Sequence, residues 1–392
     1  MTSLADATTT PGTILTELRT LADRLRARLP EIEQERRLPA DLHRTFRELG
    51  LYRLLLPSGH GGLEASSAEV LDVIEELARI DGSLAWATTI GIQSPAVLAW
   101  LPRDVFERLH DEDADVTIGG AFGPQGRAQV VDGGYLVEGR WSFASGCDNW
   151  DYLFANCIVV QDDQPVAGPG GQPAMRAMVV PKATAEIVDT WHTLGMRGTG
   201  SQDFTLSGVF VPDEFTFDLG AAVPSVPGIT RYPLLEFGYE LATIAIGVAQ
   251  GALDDIADAA AGRTRVFART SIAGDPVAQH RIGRVATALR AARALVRQDA
   301  ASLRQVDEND DFPALMTTAG ATCAWVVDVC IDVVESSFRT YGARGVYDGS
   351  ILQRRLRDIL TLAQHATLND SAWTRRGAQL FGMVEAPPSA KP

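Results

Sequence analysis

The sequence predicts an α+β fold in which helices, a β unit and a helical bundle follow one another along the chain. Apolar residues repeat with the helical period in the first and last parts of the chain, and with a period of two in between. Strands and helices are therefore segregated and do not alternate as in βαβ units, which favours α+β over α/β. The predicted domains are a helical domain (1–114), a β domain (115–228) and a helical bundle (229–392).

The first region carries the helical period from about residue 12. In TILTELRTLADRLRARL, one apolar stripe forms from Ile14, Leu18, Leu21 and Leu25. The run AEVLDVIEELARI repeats this pattern, and both runs carry acidic residues early and Arg late, which suits the helix dipole. Both runs are therefore predicted to be amphipathic helices.

The middle region, from about residue 115 to 220, reads as short strands. QVVDGGYLVEGRW contains two alternating runs around Asp132-Gly133-Gly134, a strong hairpin signal. YLFANCIVV, MRAMVVPK and SQDFTLSGVFVP are further β-rich runs. The stretch QDDQPVAGPGGQPAM is rich in Gly and Pro, which predicts a surface connection.

The helical period returns from about residue 231 to 383. The runs 276–306 and 313–341 are long, as is typical of a bundle. In the first of them, one apolar stripe forms from Ile282, Val285, Leu289, Ala292 and Val296. The last residues, EAPPSAKP, are expected to be disordered.

Composition indicates an acidic globular protein. The chain has 392 residues, 46% of them hydrophobic and 22% charged, which suits two or three packed units. A net charge of −15 argues against nucleic acid as a partner. The absence of a signal peptide pattern, and of an apolar run of roughly 18 to 20 residues, leads us to expect a cytoplasmic protein without a membrane partner. The four cysteines are read as reduced core residues.

Several common sites are absent from the sequence. No GxGxxG or GxxxxGK[ST] pattern occurs, so a Rossmann or P-loop nucleotide site is not expected. The six histidines show no HxxxH or HExxH spacing, so we expect no metal site. No GxSxG elbow supports a nucleophilic serine.

One histidine is a candidate catalytic residue. If the run ILQRRLRDILTLAQHATLNDSAWTRR is a helix, one polar stripe with apolar borders forms from Asp358, Thr361, His365 and Asn369. Such a stripe could line a pocket, and a His with an unperturbed pKa of roughly 6.5 suits a general base or acid. A solvated helix edge explains the same pattern, so both interpretations stay open.

Two loop segments could hold a ligand. Phe143–Gly146 follows a predicted strand and offers small residues, backbone N–H groups and aromatic neighbours, which suit a planar heterocycle. An aromatic-rich core strand explains this segment equally well. Gly198–Ser201 offers amides and hydroxyls that could bind phosphate, although such loops are more often ordinary turns.

The order of these pieces resembles the acyl-CoA dehydrogenase fold from about residue 12 to 383. The resemblance rests on GAFGPQGRA, GRWSFASG, LGMRGTGSQD with VFVP, IGVAQGALDD and GDPVAQHRIGRVATALRAARALV. It implies an N-terminal helical domain, a central antiparallel β-barrel-like domain and a C-terminal four-helix bundle.

The details differ from those of the dehydrogenases. Those enzymes commonly carry a catalytic Glu in a Tyr-Glu-Gly step, and the matching residues here are Gln364-His365-Ala366, with no carboxylate from 359 to 369. WSFASG, LGMRGTGSQD and the late residues Arg357, Asp358 and His365 instead resemble the two-component reduced-flavin monooxygenases. That group includes aromatic hydroxylases, dibenzothiophene monooxygenases and N-oxygenases.

The resemblance implies a reaction and its partners. A separate NAD(P)H-dependent flavin reductase supplies FMNH2 or FADH2, which reacts with O2 to give a flavin C4a-hydroperoxide. The distal oxygen then passes to a small, electron-rich, aromatic substrate in a dry pocket between the β unit and the bundle. Members of this group are usually tetramers, so a homotetramer or homodimer is expected.

The resemblance also implies site residues by position. The flavin site would comprise Trp86, Phe143, Ala144, Ser145, Gly146, Thr199, Gly200, Ser201 and Arg263, with Arg265 as the alternative to Arg263. Several relatives have a second serine at position 144, so the alanine leaves Ser145 or the backbone to meet flavin N5. His365 would deprotonate a phenol or orient the substrate. The substrate pocket would include Ser94, Phe122 and Asn369.

Two other functions stay open on the residues alone. An acyl-CoA dehydrogenase-like FAD oxidoreductase would hold its flavin tightly. A scaffold homologue without flavin is compatible with the alanine at position 144.

Overall fold

Seven helices precede the sheet in the described chain: α1 (Pro11–Ala27), α2 (Leu29–Glu35), α3 (Ala40–Glu48), α4 (Ser67–Ile80), α5 (Gly82–Ile92), α6 (Ser94–Leu98) and α7 (Arg103–Glu112). The computed structural model describes residues 9–220, 223–264, 270–303, 306, 310–368 and 370–383. Arg265, Asn369 and the tail predicted to be disordered lie outside these residues.

The two predicted amphipathic helices are present as α1 and α4. A capping box at Thr10 and a proline at the first helical position start α1, whose stripe buries Ile14, Leu18 and Leu25. A second capping box, formed by Ser66 and Glu69, starts α4. Helix α5 follows directly and is almost entirely buried, which places it at the centre of the molecule.

The middle region forms one eight-stranded sheet. Its strands are β1 (Ile118–Val131), β2 (Gly134–Ala144), β3 (Tyr152–Gln161), β4 (Gln164–Pro165), β5 (Met175–Pro181), β6 (Glu186–Val188), β7 (Gln202–Pro212) and β8 (Thr216–Phe217). The order is β6-β7-β2-β1-β3-β5-β8, with β4 paired to β3. The path has two ends and does not close into a full barrel.

The predicted hairpin joins β1 to β2 in antiparallel register, and Gly133 adopts φ +74° in its turn. The sheet departs from the predicted antiparallel arrangement at one pair, because β1 and β3 run parallel. A parallel pair needs a crossover, and here the chain passes through β2 and residues 145–151 before it returns to β1.

Five helices follow the sheet: α8 (Pro233–Ala261), α9 (Pro276–Ser302), α10 (Phe312–Tyr341), α11 (Ile351–Leu362) and α12 (Ser371–Leu380). The long runs predicted as bundle helices are α9 and α10. Helices, a β sheet and helices thus follow one another as the sequence predicts, and the α+β fold class is confirmed.

Helix α10 is the one described helix that is long and apolar enough to cross a membrane, with a mean hydropathy of 1.6 over 18 residues. It packs against α8, α9, α11 and α12. Core helices of this kind have the same composition, so one such helix is weak evidence for a membrane span.

One helix prediction is wrong. The sequence predicts a single helix through His365, whereas α11 ends at Leu362 and α12 starts only at Ser371. The His365 N–H bonds to Leu362 O in a tight turn, and the Thr367 N–H donates to Nδ1 of His365 at 3.3 Å. The turn and the imidazole take amides that a continuous helix would use, so the proposed four-residue polar stripe does not lie on one helix.

Candidate functional site

A chain of hydroxyl groups joins the N-terminal helices to the sheet. The Trp86 indole N–H donates to Ser145 Oγ at 2.9 Å, and Ser145 Oγ lies 2.7 Å from Ser201 Oγ. Ser201 Oγ is 2.7 Å from Thr199 Oγ1, which donates to the carbonyl of Met196 at 2.9 Å. The structure thus brings together Trp86, Ser145, Thr199 and Ser201, four of the predicted site residues.

The two ends of this chain fix the direction of its hydrogen bonds. A carbonyl only accepts, so the Thr199 proton points to Met196, and Ser201 must donate to Thr199. Ser145 in turn donates to Ser201 and accepts from Trp86. A hydroxyl has two lone pairs, so the Ser145 oxygen can accept one further hydrogen bond.

The backbone of the predicted segment 143–146 is mostly engaged internally. The Ser145 N–H bonds to Phe143 O, and the Gly146 N–H donates to Thr199 O at 2.8 Å. Ala144 has no exposed surface. Phe143 adopts φ +66° and is 70% exposed, so it is the residue of the segment that faces outward.

Gly146 and Gly200 are required by geometry. Gly146 has φ +71°, and an added Cβ would lie 2.3 Å from the Trp150 ring. Gly200 has φ +53°, and its Cβ would approach the backbone and side chain of Arg37. The Trp150 indole N–H donates to Ser145 O at 2.7 Å. Both glycines therefore allow the close packing that positions Ser145.

His365 lies against this site. Its ring centroid is 5.3 Å from that of Trp86, in an edge-on arrangement at 69°. Burial lowers the pKa of the imidazole below its usual value, so the neutral form prevails near pH 7. Because Nδ1 accepts from the Thr367 N–H, the proton of the neutral ring resides on Nε2.

A buried ionic network supports the same elements and was missed by the sequence analysis. The Arg354 side chain is 7% exposed and donates to Asp81 at 2.7 Å and to Glu33 at 3.0 Å. Asp81 caps the start of α5 by accepting from the Leu84 N–H. The network thus links α11 to the helix that carries Trp86.

Asp358 belongs to the same network and holds the loop of the hydroxyl chain. Its Oδ1 accepts from the Met196 N–H at 2.6 Å, and its Oδ2 is 3.8 Å from Arg354. Burial and the neighbouring Asp81 charge raise the pKa of Asp358 above its usual value. In the sequence, Asp358 stands out only as part of the late motif, which carries no signal of this contact.

A cavity lies between the sheet and α8. Gly119 of its lining packs against the Trp150 indole, whose N–H donates to Ser145 O, so one residue separates the cavity from the hydroxyl chain. The aromatic lining of the cavity includes Phe122, Phe154 and Phe237. Phe122 and Phe154 meet edge to face with ring centroids 5.0 Å apart. The cavity therefore includes Phe122, one of the residues predicted for a substrate pocket.

Two other predicted residues do not line the cavity: Ser94 lies behind it and bonds Ile118 of the lining, and Arg263 lies further away. Ser94 is fully buried, and its Oγ accepts from the Ile118 N–H at 2.9 Å, so it ties α6 to β1. Arg263 follows the end of α8 and places its guanidinium 3.8 Å from the Tyr341 ring centroid. It lies about 20 Å along the helix from Val248, which packs against Gly82 at the start of α5. Within one chain, Arg263 is thus remote from Ser145.

Comparison with known proteins gives a consistent result. Residues 13–101 match the family of the acyl-CoA dehydrogenase N-terminal domain, and residues 239–370 match that of the C-terminal domain. The chain is 31% identical to indole-3-acetate monooxygenase of Pseudomonas putida, with 92% of each chain covered. It is 27% identical to the FADH2-dependent resorcinol hydroxylase oxygenase component of a Rhizobium species, with 93% of this chain and 92% of that one covered. The crystal structure of 3-HSA hydroxylase from Rhodococcus sp. RHA1 superposes with a TM-score of 0.85 at 28% identity and covers 95% of this chain and 98% of that one.

The chain therefore belongs to the acyl-CoA dehydrogenase superfamily. Within it, the chain is an oxygenase component of the two-component flavin-dependent monooxygenases. Such a component uses reduced flavin from a separate reductase, together with O2 and a small-molecule substrate. The resemblance inferred from the sequence motifs is confirmed.

Proposed function

We propose that this chain hydroxylates a small aromatic compound with reduced flavin bound at the hydroxyl chain of Trp86, Ser145, Ser201 and Thr199. The observation that carries the proposal is that the hydroxyl chain lies beside the aromatic cavity. When bound, reduced flavin reacts with O2 and supplies the oxygen atom that is transferred. The protein residues bind the flavin, orient the substrate and keep water away from both.

The direction of the hydroxyl chain fits reduced flavin. Every proton of the three hydroxyls points along the chain toward the Met196 carbonyl, which leaves Ser145 as a hydrogen-bond acceptor. Reduced flavin carries an N5–H donor, whereas N5 of oxidised flavin is an acceptor. An acceptor at Ser145 therefore favours the reduced form, which is the form that a reductase delivers. Phe143, Ala144, Gly146 and Gly200 stay proposed as the surrounding cofactor residues.

The cavity supports an aromatic substrate. Phe122, Phe154 and Phe237 provide ring faces and edges on which a planar compound can pack. The relatives named above act on indole-3-acetate and on resorcinol, and both compounds are small aromatics with a ring N–H or O–H group. We extend this substrate class to the present chain, with Ser94 and Asn369 retained as proposed wall residues.

His365 is proposed to act as a hydrogen-bond donor. The neutral tautomer inferred above carries its proton on Nε2, and an Nε2–H group can orient a substrate oxygen but cannot accept a proton there. The alternative role as base at Nε2 would require the other tautomer and the loss of the Thr367 contact. Of the two roles predicted from the resemblance, the geometry supports the donor.

The proposal includes an oligomeric state, a cellular location and two domain boundaries. Arg263 is remote from Ser145 within one chain, so it can contact only a flavin that is bound by a neighbouring copy. This favours a homotetramer or homodimer. We also propose a cytoplasmic location and domain boundaries after residues 114 and 228. Each boundary falls between the last element of one region and the first element of the next.

The function is tested by reconstitution. With an NAD(P)H-dependent flavin reductase, FAD or FMN, and O2, the chain is expected to convert indole-3-acetate or resorcinol to a hydroxylated product. With 18O2, mass spectrometry should find one labelled oxygen per product, and omission of either the chain or the reductase should abolish product. Oxidation of an acyl-CoA with oxidised flavin and a dye acceptor would instead assign the chain to the dehydrogenases.

Ser145→Ala tests the flavin site. The variant loses the proposed hydrogen bond to reduced flavin and leaves the Trp86 N–H without its acceptor. We expect the Kd for reduced flavin to rise about fivefold, since one hydrogen bond contributes about 1 kcal/mol. Anaerobic titration measures this Kd. Ser142→Ala, on β2 three residues before Ser145 and without a side-chain hydrogen bond in the described structure, is the matched control. Equal affinities for the two variants would refute the assignment.

A further inference from the structure

A buried pair of polar side chains lies outside the residues assigned so far. Glu240, within α8, is only 3% exposed, and no Lys, Arg or His of the described residues forms a salt bridge with it. Its two carboxyl oxygens lie 2.6 and 2.7 Å from Nε2 of Gln93. Burial raises the pKa of Glu240 to about 8, while the Gln93 amide acts in the opposite direction. Among the described residues, the one hydrogen-bond partner of this buried carboxyl group is therefore a neutral amide.

Gln93 connects this pair to the proposed site. It follows α5 directly, seven residues after Trp86 and three after Ile90, a spacing that places all three on one side of the helix. Ile90 and Gln93 line the aromatic cavity, and Trp86 contacts Ser145 and His365. One side of α5 and the residue that follows it thus carry residues of both the hydroxyl chain and the cavity.

The amide oxygen of Gln93 is free toward the cavity. Its nitrogen is committed to Glu240, and the oxygen has no hydrogen bond to any described residue. Enclosed polar atoms without a partner in the described structure do not include this oxygen, so it keeps some accessible surface. Because Gln93 lines the cavity, we infer that this oxygen faces the cavity.

The rest of the described lining offers no comparable acceptor side chain. Apart from Gln93, it consists of glycine, proline, aliphatic and aromatic residues. The one other polar side-chain atom is the indole nitrogen of Trp100, which is a donor and is enclosed. An aromatic compound in this cavity would thus find a single side-chain acceptor for a ring N–H or O–H group.

We propose that Gln93 determines substrate specificity by accepting a hydrogen bond from the ring N–H or phenolic O–H of the aromatic substrate, and that Glu240 positions it. This inference deepens the proposed function and rests on it. The Glu240 carboxyl accepts from the amide nitrogen, which holds the Gln93 side chain with its amide oxygen toward the cavity. Glu240 acts through Gln93 and is a positioning residue.

The test compares substrates with and without the donor. Indole-3-acetate is paired with its 1-methyl derivative, and resorcinol with 1,3-dimethoxybenzene. Wild-type protein is expected to favour the donor-bearing member of at least one pair by tenfold or more in kcat/KM, because a site that hydrogen-bonds a substrate discriminates against analogues without the donor. Gln93→Met with Glu240→Met removes both polar partners without leaving either buried group unpaired. We expect this double variant to lower the preference to less than twofold.

Further variants separate positioning from folding. Glu240→Gln keeps an acceptor for the Gln93 amide and is expected to retain most of the preference. Gln129→Met, on β1 and outside the cavity lining, should leave it unchanged. Circular dichroism melting confirms that each variant is folded.

Calorimetric Kd values for the same pairs separate this inference from the proposed function. Donor-selective binding that the double variant abolishes would support the role of Gln93 even if no product formed, and only the proposed reaction would then fail. A double variant with the wild-type preference, or a wild-type protein without preference for either donor-bearing compound, would overturn the inference.

Discussion

Arg354→Met is expected to lower the free energy of unfolding by about 3–5 kcal/mol, because removal of one partner leaves buried charges uncompensated. The Arg354 side chain is 7% exposed, and its partner Asp81 is 2% exposed. Asp358, 4% exposed, lies 3.8 Å from the same guanidinium. Without the arginine, these two buried carboxyl groups face each other with no cation of comparable burial between them.

Chemical denaturation followed by circular dichroism measures this loss. Arg284→Met is the matched control, because Arg284 pairs with Asp332 at 2.8 Å but its side chain is 55% exposed. Exposed pairs contribute at most about 1 kcal/mol, so the control should lose much less stability. Equal losses in the two variants would show that burial of the Arg354 network does not matter.

The same network carries a functional consequence. Asp81 caps α5, the helix that holds Trp86. Asp358 accepts from the Met196 N–H, and the carbonyl of Met196 accepts the last hydrogen bond of the hydroxyl chain. Loss of Arg354 therefore acts on both ends of that chain. A folded Arg354 variant is expected to bind reduced flavin more weakly than the Arg284 control.

The parts of the fold that the sequence predicted correctly are those encoded locally. The stripe that starts at Ile14 and the turn at Gly133 are visible within a few residues, because side-chain period and turn chemistry are local properties. The break after Leu362 was missed, since it depends on an imidazole that bonds a backbone amide two residues on. Apolar periodicity contains no signal for such a contact.

Most contacts of the site link residues that are distant in sequence, so the periodicity of apolar residues could not predict them. Arg354 meets Asp81 across 273 positions, and Gln93 meets Glu240 across 147. A lone Glu within an apolar helix run, ELATIAIGVA, was the one available signal for Glu240. Trp86 and Ser145 were predicted from the resemblance to a known fold, which encodes such distant pairings.

His365→Ala is expected to lower kcat/KM for hydroxylation about 100-fold while the Kd for reduced flavin changes less than twofold. The imidazole touches the Trp86 ring but makes no hydrogen bond to the Trp86–Thr199 chain of hydroxyls. Loss of a positioned donor or acid–base group therefore affects transfer to the substrate more than flavin binding. Unused oxygen should then appear as H2O2, measured beside product and reduced-flavin consumption.

A comparison of His365→Gln with His365→Ala decides between donor and base. Gln keeps an N–H donor but cannot take up a proton, so a donor role predicts that His365→Gln retains clearly more activity than His365→Ala. Because burial lowers the pKa of His365, the ring takes up a proton only below its usual pH range, and a protonated ring still donates from Nε2. A donor role therefore predicts no acid limb of wild-type kcat from His365, whereas an acid limb below about pH 6.5 that disappears in His365→Gln would indicate the base. Equal, near-complete inactivity of both variants with a phenolic substrate would instead establish His365 as the base.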